Sequence, residues 1–183
     1  LISYRTLDDD FDTDNGYSGK VQFGISLRDS SIADISKSEA FESDNDANGS
    51  DRLTFLTSIP VSANNPVATV PVKTSAVFSN MTILGPKVTA TSNGNSLFLA
   101  AAQIRRNSEI SICNSVLLGW SGGAVNTLLI DASKGTATDK NLDPAGGLNF
   151  RNNLIAGNGT AGTNAVSYAA AVPATGATTA SIT

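Results

Sequence analysis

One pattern, apolar-x-Asn-x-x-apolar-x-Gly, occurs three times in the chain and narrows its fold more than any other feature. The copies are Phe78-Ser79-Asn80-Met81-Thr82-Ile83-Leu84-Gly85, Ile112-Cys113-Asn114-Ser115-Val116-Leu117-Leu118-Gly119 and Phe150-Arg151-Asn152-Asn153-Leu154-Ile155-Ala156-Gly157. They lie 34 and 38 residues apart. A weaker copy, Val21-Gln22-Phe23-Gly24-Ile25-Ser26-Leu27, lacks the Asn. A second element recurs beside the first. Phe11-Asp12-Thr13-Asp14-Asn15 matches Phe41-Glu42-Ser43-Asp44-Asn45, and its place is taken further on by Gln103-Ile104-Arg105-Arg106-Asn107 and by Leu128-Leu129-Ile130-Asp131.

Self-similar units of 30 to 38 residues, each built of short strand-like pieces, predict an all-β chain wound as a right-handed parallel β-helix of about four coils. Stacked coils bring equivalent residues into ladders, with apolar residues inside and the Asn column hydrogen-bonding at a turn. The competing reading is a β-sandwich in which Asn and Gly mark ordinary turns. Long insertions fall at about 47–74 and 132–146, and four of the six prolines sit in them. The predicted solenoid segment covers 1–157, as part of a longer solenoid. An Ala/Thr/Gly-rich tail or final irregular coil follows at 158–183. One stretch pulls the other way: Leu97 to Arg106 has good helix propensity, which pairing with neighbouring strands must override.

Composition agrees with strands and turns, since Ser, Thr and Asn make up 57 of the 183 residues. It also removes chemistries. There is no histidine, so a Ser-His-Asp or Cys-His site and an imidazole-dependent zinc site are ruled out. A single cysteine, Cys113, allows no intramolecular disulfide and reads as a buried or half-buried thiol. No stretch reaches the roughly 20 apolar residues of a membrane span.

The net charge of −4 conceals an asymmetry. Residues 1–51 hold twelve acids against four bases, and residues 52–183 hold four against eight. No basic stripe with interleaved aromatics is present, so no nucleic-acid partner is expected. Asp12 and Asp14 occupy alternate positions of one strand and share a face. The repeat register stacks them on Glu42 and Asp44, with Arg105 or Arg106 on the next coil. Four carboxylates on one face need either a cation or direct pairing. Calcium would suit their oxygens, and the run Asp10-x-Asp12-x-Asp14 has alternate-acid spacing, making Asp10, Asp12 and Asp14 candidate metal ligands. Asn15 and Val21 stand where the helix-loop-helix calcium motif has Gly and Glu. The second solution is neutralisation of the ladder by Arg105 and Arg106. Trp120, beside Gly119, reads as an exposed platform for a sugar or as an aromatic covering the core edge.

The run Asp8-Asp9-Asp10-Phe11-Asp12-Thr13-Asp14-Asn15-Gly16-Tyr17-Ser18-Gly19-Lys20-Val21-Gln22-Phe23 resembles a group of secreted or outer-membrane-attached β-helix proteins of Bacteroidetes. The runs Phe41–Ala47, Thr74–Asn80 and Ile104–Ser108 resemble that group in the same order, so the likeness spans roughly residues 3–157. It implies a β-helix at the cell exterior or outer membrane surface, with further coils beyond this stretch. It brings no catalytic residues. The expected role is structural or ligand-binding, with a polysaccharide or another surface protein as partner. The alternative is a calcium-dependent, polysaccharide lyase-like enzyme, in which Arg105 or Arg106 beside Asp12, Asp14, Glu42 and Asp44 would abstract a sugar proton; arginine is a poor base for that task.

Overall fold

The computed structural model describes residues 1–46, 54–55, 71–89, 92–120, 126–133, 138, 141–142, 146–157 and 166–169. Most of both long insertions, and the tail apart from 166–169, lie outside these residues. The chain is all-β, with parallel strands in stacked sheets, an arrangement consistent with a parallel β-solenoid.

A first circuit runs through β1 (Ile2–Tyr4), β2 (Phe11–Thr13) and β3 (Lys20–Gln22). A second runs through β4 (Ile25–Leu27) and β5 (Ser38–Ser43). An antiparallel pair, β6 (Thr54–Phe55) with β7 (Pro71–Val72), then intervenes before β8 (Val77–Ser79). The third contains β9 (Thr82–Leu84), β10 (Phe98–Arg105) and β11 (Ser111–Cys113), and the fourth β12 (Val116–Leu118), β13 (Asn126–Asp131) and β14 (Phe150–Arg151). β15 (Leu154–Ala156) and β16 (Val166–Ala169) begin a fifth. Each circuit places one strand in each of three parallel sheets: β1-β4-β9-β12-β15 (sheet 1), β2-β5-β10-β13-β16 (sheet 2) and β3-β8-β11-β14 (sheet 3).

The eight-residue pattern is the corner from sheet 3 to sheet 1. Val21, Phe78, Ile112 and Phe150 stack in register, so the copy lacking Asn is a true member of the series. Phe23, Asn80, Asn114 and Asn152 occupy the corner with φ of 57°, 55°, 51° and 57°. Asn is there because it tolerates the left-handed conformation that turns the chain between sheets. The expected ladder of hydrogen-bonded Asn side chains gives way to this: all three are exposed. The pattern's glycine has two uses. Gly119 and Gly157 have φ of 75° and 67°, whereas a β-carbon on Gly85 would sit 2.6 Å from Trp120 Cδ1.

Trp120 is fully buried, edge-on to Phe98 with ring centroids 5.9 Å apart, which removes the exposed-platform reading. Phe11, Phe41 and Phe78 form a second aromatic group, with centroids 4.9 to 5.8 Å apart. The helix-prone stretch is strand β10, hydrogen-bonded on both sides by β5 and β13. Two-sided pairing outweighs a local preference of a few tenths of a kcal/mol per residue, on the order of the helix-propensity differences. Cys113 is half-buried, with its sulfur 4.0 Å from the Asn149 carbonyl oxygen.

Sheet 1 alternates with an unusual outcome. The middle residue of each strand points inward: Ser3, Ser26, Ile83, Leu117 and Ile155. The flanking residues point outward, and nine of these ten are apolar, Thr82 being the exception. Ile2, Tyr4, Ile25, Leu27 and Leu154 are exposed on that face.

Candidate functional site

Ionisable groups concentrate at and beside the outer surface of sheet 2, near β2 and β5. The predicted register holds there: Phe11 lies on Phe41, Asp12 on Glu42 and Thr13 on Ser43. The third copy is offset by one residue from the sequence alignment. Ala102 lies on Phe41, Gln103 on Glu42 and Ile104 on Ser43. The reason is packing: a one-residue slip would turn Ile104 out of the core and Gln103 into it.

Arg105 then reaches two carboxylates, with Nη2 2.6 Å from Glu42 Oε1 and Nε 3.0 Å from Asp44 Oδ2. Arg106 Nη1 donates to the same Asp44 oxygen at 2.8 Å. Direct pairing therefore neutralises Glu42 and Asp44, while Asp12 remains exposed with no arginine on it among the described residues. Asp12 is pushed up to about 6, by desolvation first and then by Asp9, Asp14, Asp44 and Asp8. Asp14, one residue past β2, adds to that repulsion. Arg105 is held above its ordinary value: burial would lower it, and Glu42 and Asp44 outweigh burial.

Asp10 goes elsewhere. Its carboxylate is fully buried and receives hydrogen bonds from Ser3 (2.6 Å), Thr6 (2.6 Å) and Ser26 (2.5 Å), with Arg28 Nη1 at 3.3 Å. Arg28 also lies over the Phe98 ring, 5.2 Å from its centroid. Asp10 thus serves a polar cluster inside the first two circuits. The structure does not bring it together with Asp12 and Asp14 as the alternate-acid spacing suggested.

The acids that do converge are Asp9, Glu39 and Glu42, with carboxylate oxygens all within 4.8 Å of one another. Strict alternation would put Glu39 and Glu42 on opposite faces, being three residues apart. They meet because alternation breaks between them, where Ala40 and Phe41 both enter the core. Asp9 is fixed by the Glu39 N–H, which donates to its Oδ1 at 2.6 Å. Burial pushes Glu39 up to about 10, reinforced by its hydrogen bond to Asp9 and by that carboxylate's charge. Glu42 rises to about 7, chiefly through burial and against the pull of Arg105. Asp9 is raised as well, again by burial. Sequence reasoning passed over Asp9 and Glu39; their only signal was the 30-residue match extended two residues before Phe11 and Phe41.

Chemically, this face offers fixed oxygen donors, a guanidinium committed to carboxylates and at least one carboxyl that keeps its proton at neutral pH. Imidazole is absent from the whole chain. Among the described residues, no helix is long and apolar enough to cross a membrane. No family model matches the chain, and no curated protein or solved structure is significantly similar to it, so the site's chemistry rests on its geometry.

Proposed function

We propose that the chain is a stretch of right-handed parallel β-helix that serves outside the cell as a rigid scaffold and docks another protein on the outer face of sheet 1. The cyclic order of three parallel sheets, kept in register through four circuits, supports the β-helix reading. The resemblance of the Asp8–Phe23 run to secreted and outer-membrane-attached β-helix proteins supports the address.

The observation that carries the docking role is the apolar outer face of sheet 1. Outward positions of a sheet facing water are ordinarily polar. Here Ile2 and Ile25 are paired, as are Tyr4 and Leu27, and all four are exposed. Five strands at about 4.8 Å spacing make a flat apolar strip about 20 Å long. Exposed apolar surface of this kind marks protein interfaces. The strip is aliphatic apart from Tyr4 and Thr82 and presents few hydrogen-bonding side chains, which suits a protein face better than a sugar.

The test is site-specific photo-cross-linking at Ile25 on intact cells, with Asp34 as control site. One recurring protein captured at Ile25, absent at Asp34 and lost in Leu27→Glu, supports docking. Equal capture at both sites, or capture unaffected by Leu27→Glu, overturns it.

A second reading places a glycan on the sheet 2 face, favoured by the exposed Asp12 carboxylate beside Glu42 and Arg105. A polysaccharide panel measured against Asp12→Asn tests it. The lyase-like alternative finds no support in Arg105, whose two carboxylate partners keep it protonated and so unfit to accept a sugar proton.

A further inference from the structure

We propose that Asp9, Glu39 and Glu42 form a binding site for a hard divalent cation, calcium in particular. This site stands apart from the sheet 1 docking face and does not depend on it.

Two independent observations meet here. The first is convergence: three carboxylates, one from the segment before β2 and two from β5, bring oxygens within 4.8 Å of one another. The second is an unanswered polar atom. Glu39 is 2% exposed, and its Oε1 has no hydrogen-bond partner. A buried carboxylate oxygen without a donor is costly, and the group stays there only if a proton or a cation compensates it. Glu39 lies at the floor, while Asp9 and Glu42 are half-buried above it, so an ion from solvent can reach the site.

The donor set selects the ion. Only oxygen is offered, which disfavours zinc and copper and suits calcium, magnesium or manganese. Three carboxylates at positions fixed by the backbone suit calcium, which accepts flexible geometry, better than magnesium, which demands near-ideal octahedral geometry and is usually held by fewer carboxylates. The local charge agrees. Arg105 already neutralises part of Glu42, and Asp8, Asp9 and Asp12 leave the neighbourhood negative.

The experiment is calorimetric titration of the full chain with calcium, together with thermal melts in millimolar calcium and in chelator. Expected are one site and a higher melting temperature in calcium. Glu39→Gln keeps the shape of the side chain and removes its charge, so it should fold without the ion yet bind calcium at least tenfold more weakly. Should Glu39→Gln fail to fold, Asp9→Asn carries the same expectation at a more exposed position. No heat and no melting shift in the parent would overturn the proposal. So would parent-like binding in Glu39→Gln or Asp9→Asn, and so would binding lost only in Asp12→Asn with Asp14→Asn, which would put the ion on the neighbouring acids.

Discussion

Replacing Phe23 by Asn should stabilise the protein, although it removes a large apolar side chain. Phe23 sits at the corner between sheets 3 and 1 with φ of 57°, where the three later circuits place Asn80, Asn114 and Asn152. An L-residue other than Gly, Asn or Asp pays about 1–2 kcal/mol in this conformation. Asn relieves part of that by local hydrogen bonding. The opposing term is small, because Phe23 is 72% exposed. Removing the remaining contact forfeits less than about 1 kcal/mol, a fraction of the value for a fully buried Phe. The net gain is about 0.5–1 kcal/mol, or a melting temperature higher by about 1–4 °C for a chain of this size. Asn114→Phe is the mirror experiment and should lose about 1–2 kcal/mol, since Asn114 is exposed and the larger side chain meets strain without burial. Urea unfolding with a fixed m-value, alongside calorimetry, reads both. A lower urea midpoint for Phe23→Asn, with Asn114→Phe neutral, would refute the claim that backbone conformation selects this column.

Three further outcomes follow from the same geometry. Burial raises Glu42 to about 7 and Glu39 to about 10, from an ordinary value of 4.5. A carboxyl whose folded pKa is raised binds more protons when folded, so its contribution is complete below the unfolded pKa and is lost as pH rises through the folded one. Urea midpoints measured in chelator should therefore fall from about pH 5 to about pH 9, and Glu39→Gln should flatten the slope; midpoints rising across that window would contradict the assignment. Arg28→Met should cost about 3–5 kcal/mol, because it strands the buried Asp10 charge, while adding Asp10→Asn should recover most of the loss in a double-mutant cycle. Gly85→Ala should cost about 1–3 kcal/mol, since the new methyl would meet Trp120 Cδ1 and Nε1 at 2.6 Å and the Gly119 carbonyl oxygen at 2.7 Å. Trp120 is the sole tryptophan, so a red-shifted emission would report the displacement, and unchanged fluorescence with unchanged stability would argue against the packing.

The winding was legible because a stacked parallel sheet repeats its constraints. Each corner between sheets 3 and 1 needs a left-handed residue flanked by inward apolar ones, and that requirement writes the same pattern of residue types into distant parts of the chain. The match of Phe11-Asp12-Thr13 to Phe41-Glu42-Ser43 survives as actual strand pairing for the same reason. The third copy could not be read to the residue, because Ala102-Gln103-Ile104 has lost the aromatic that anchors the register, and only core packing decides which neighbour faces inward.

From sequence alone, the chain's all-β character, its repeat spacing and the gathering of acids and arginines near residues 9–46 and 105–106 are determined, since these follow from periodicity and composition. Tertiary structure decided what those charges do. Asp10 turns inward to Arg28 although it shares its spacing with Asp12, and Glu39 reaches Glu42 although alternation forbids it. It also decided that the exterior of sheet 1 is apolar, because a three-residue strand is too short for its own pattern to reveal which face meets water until its neighbours are stacked on it.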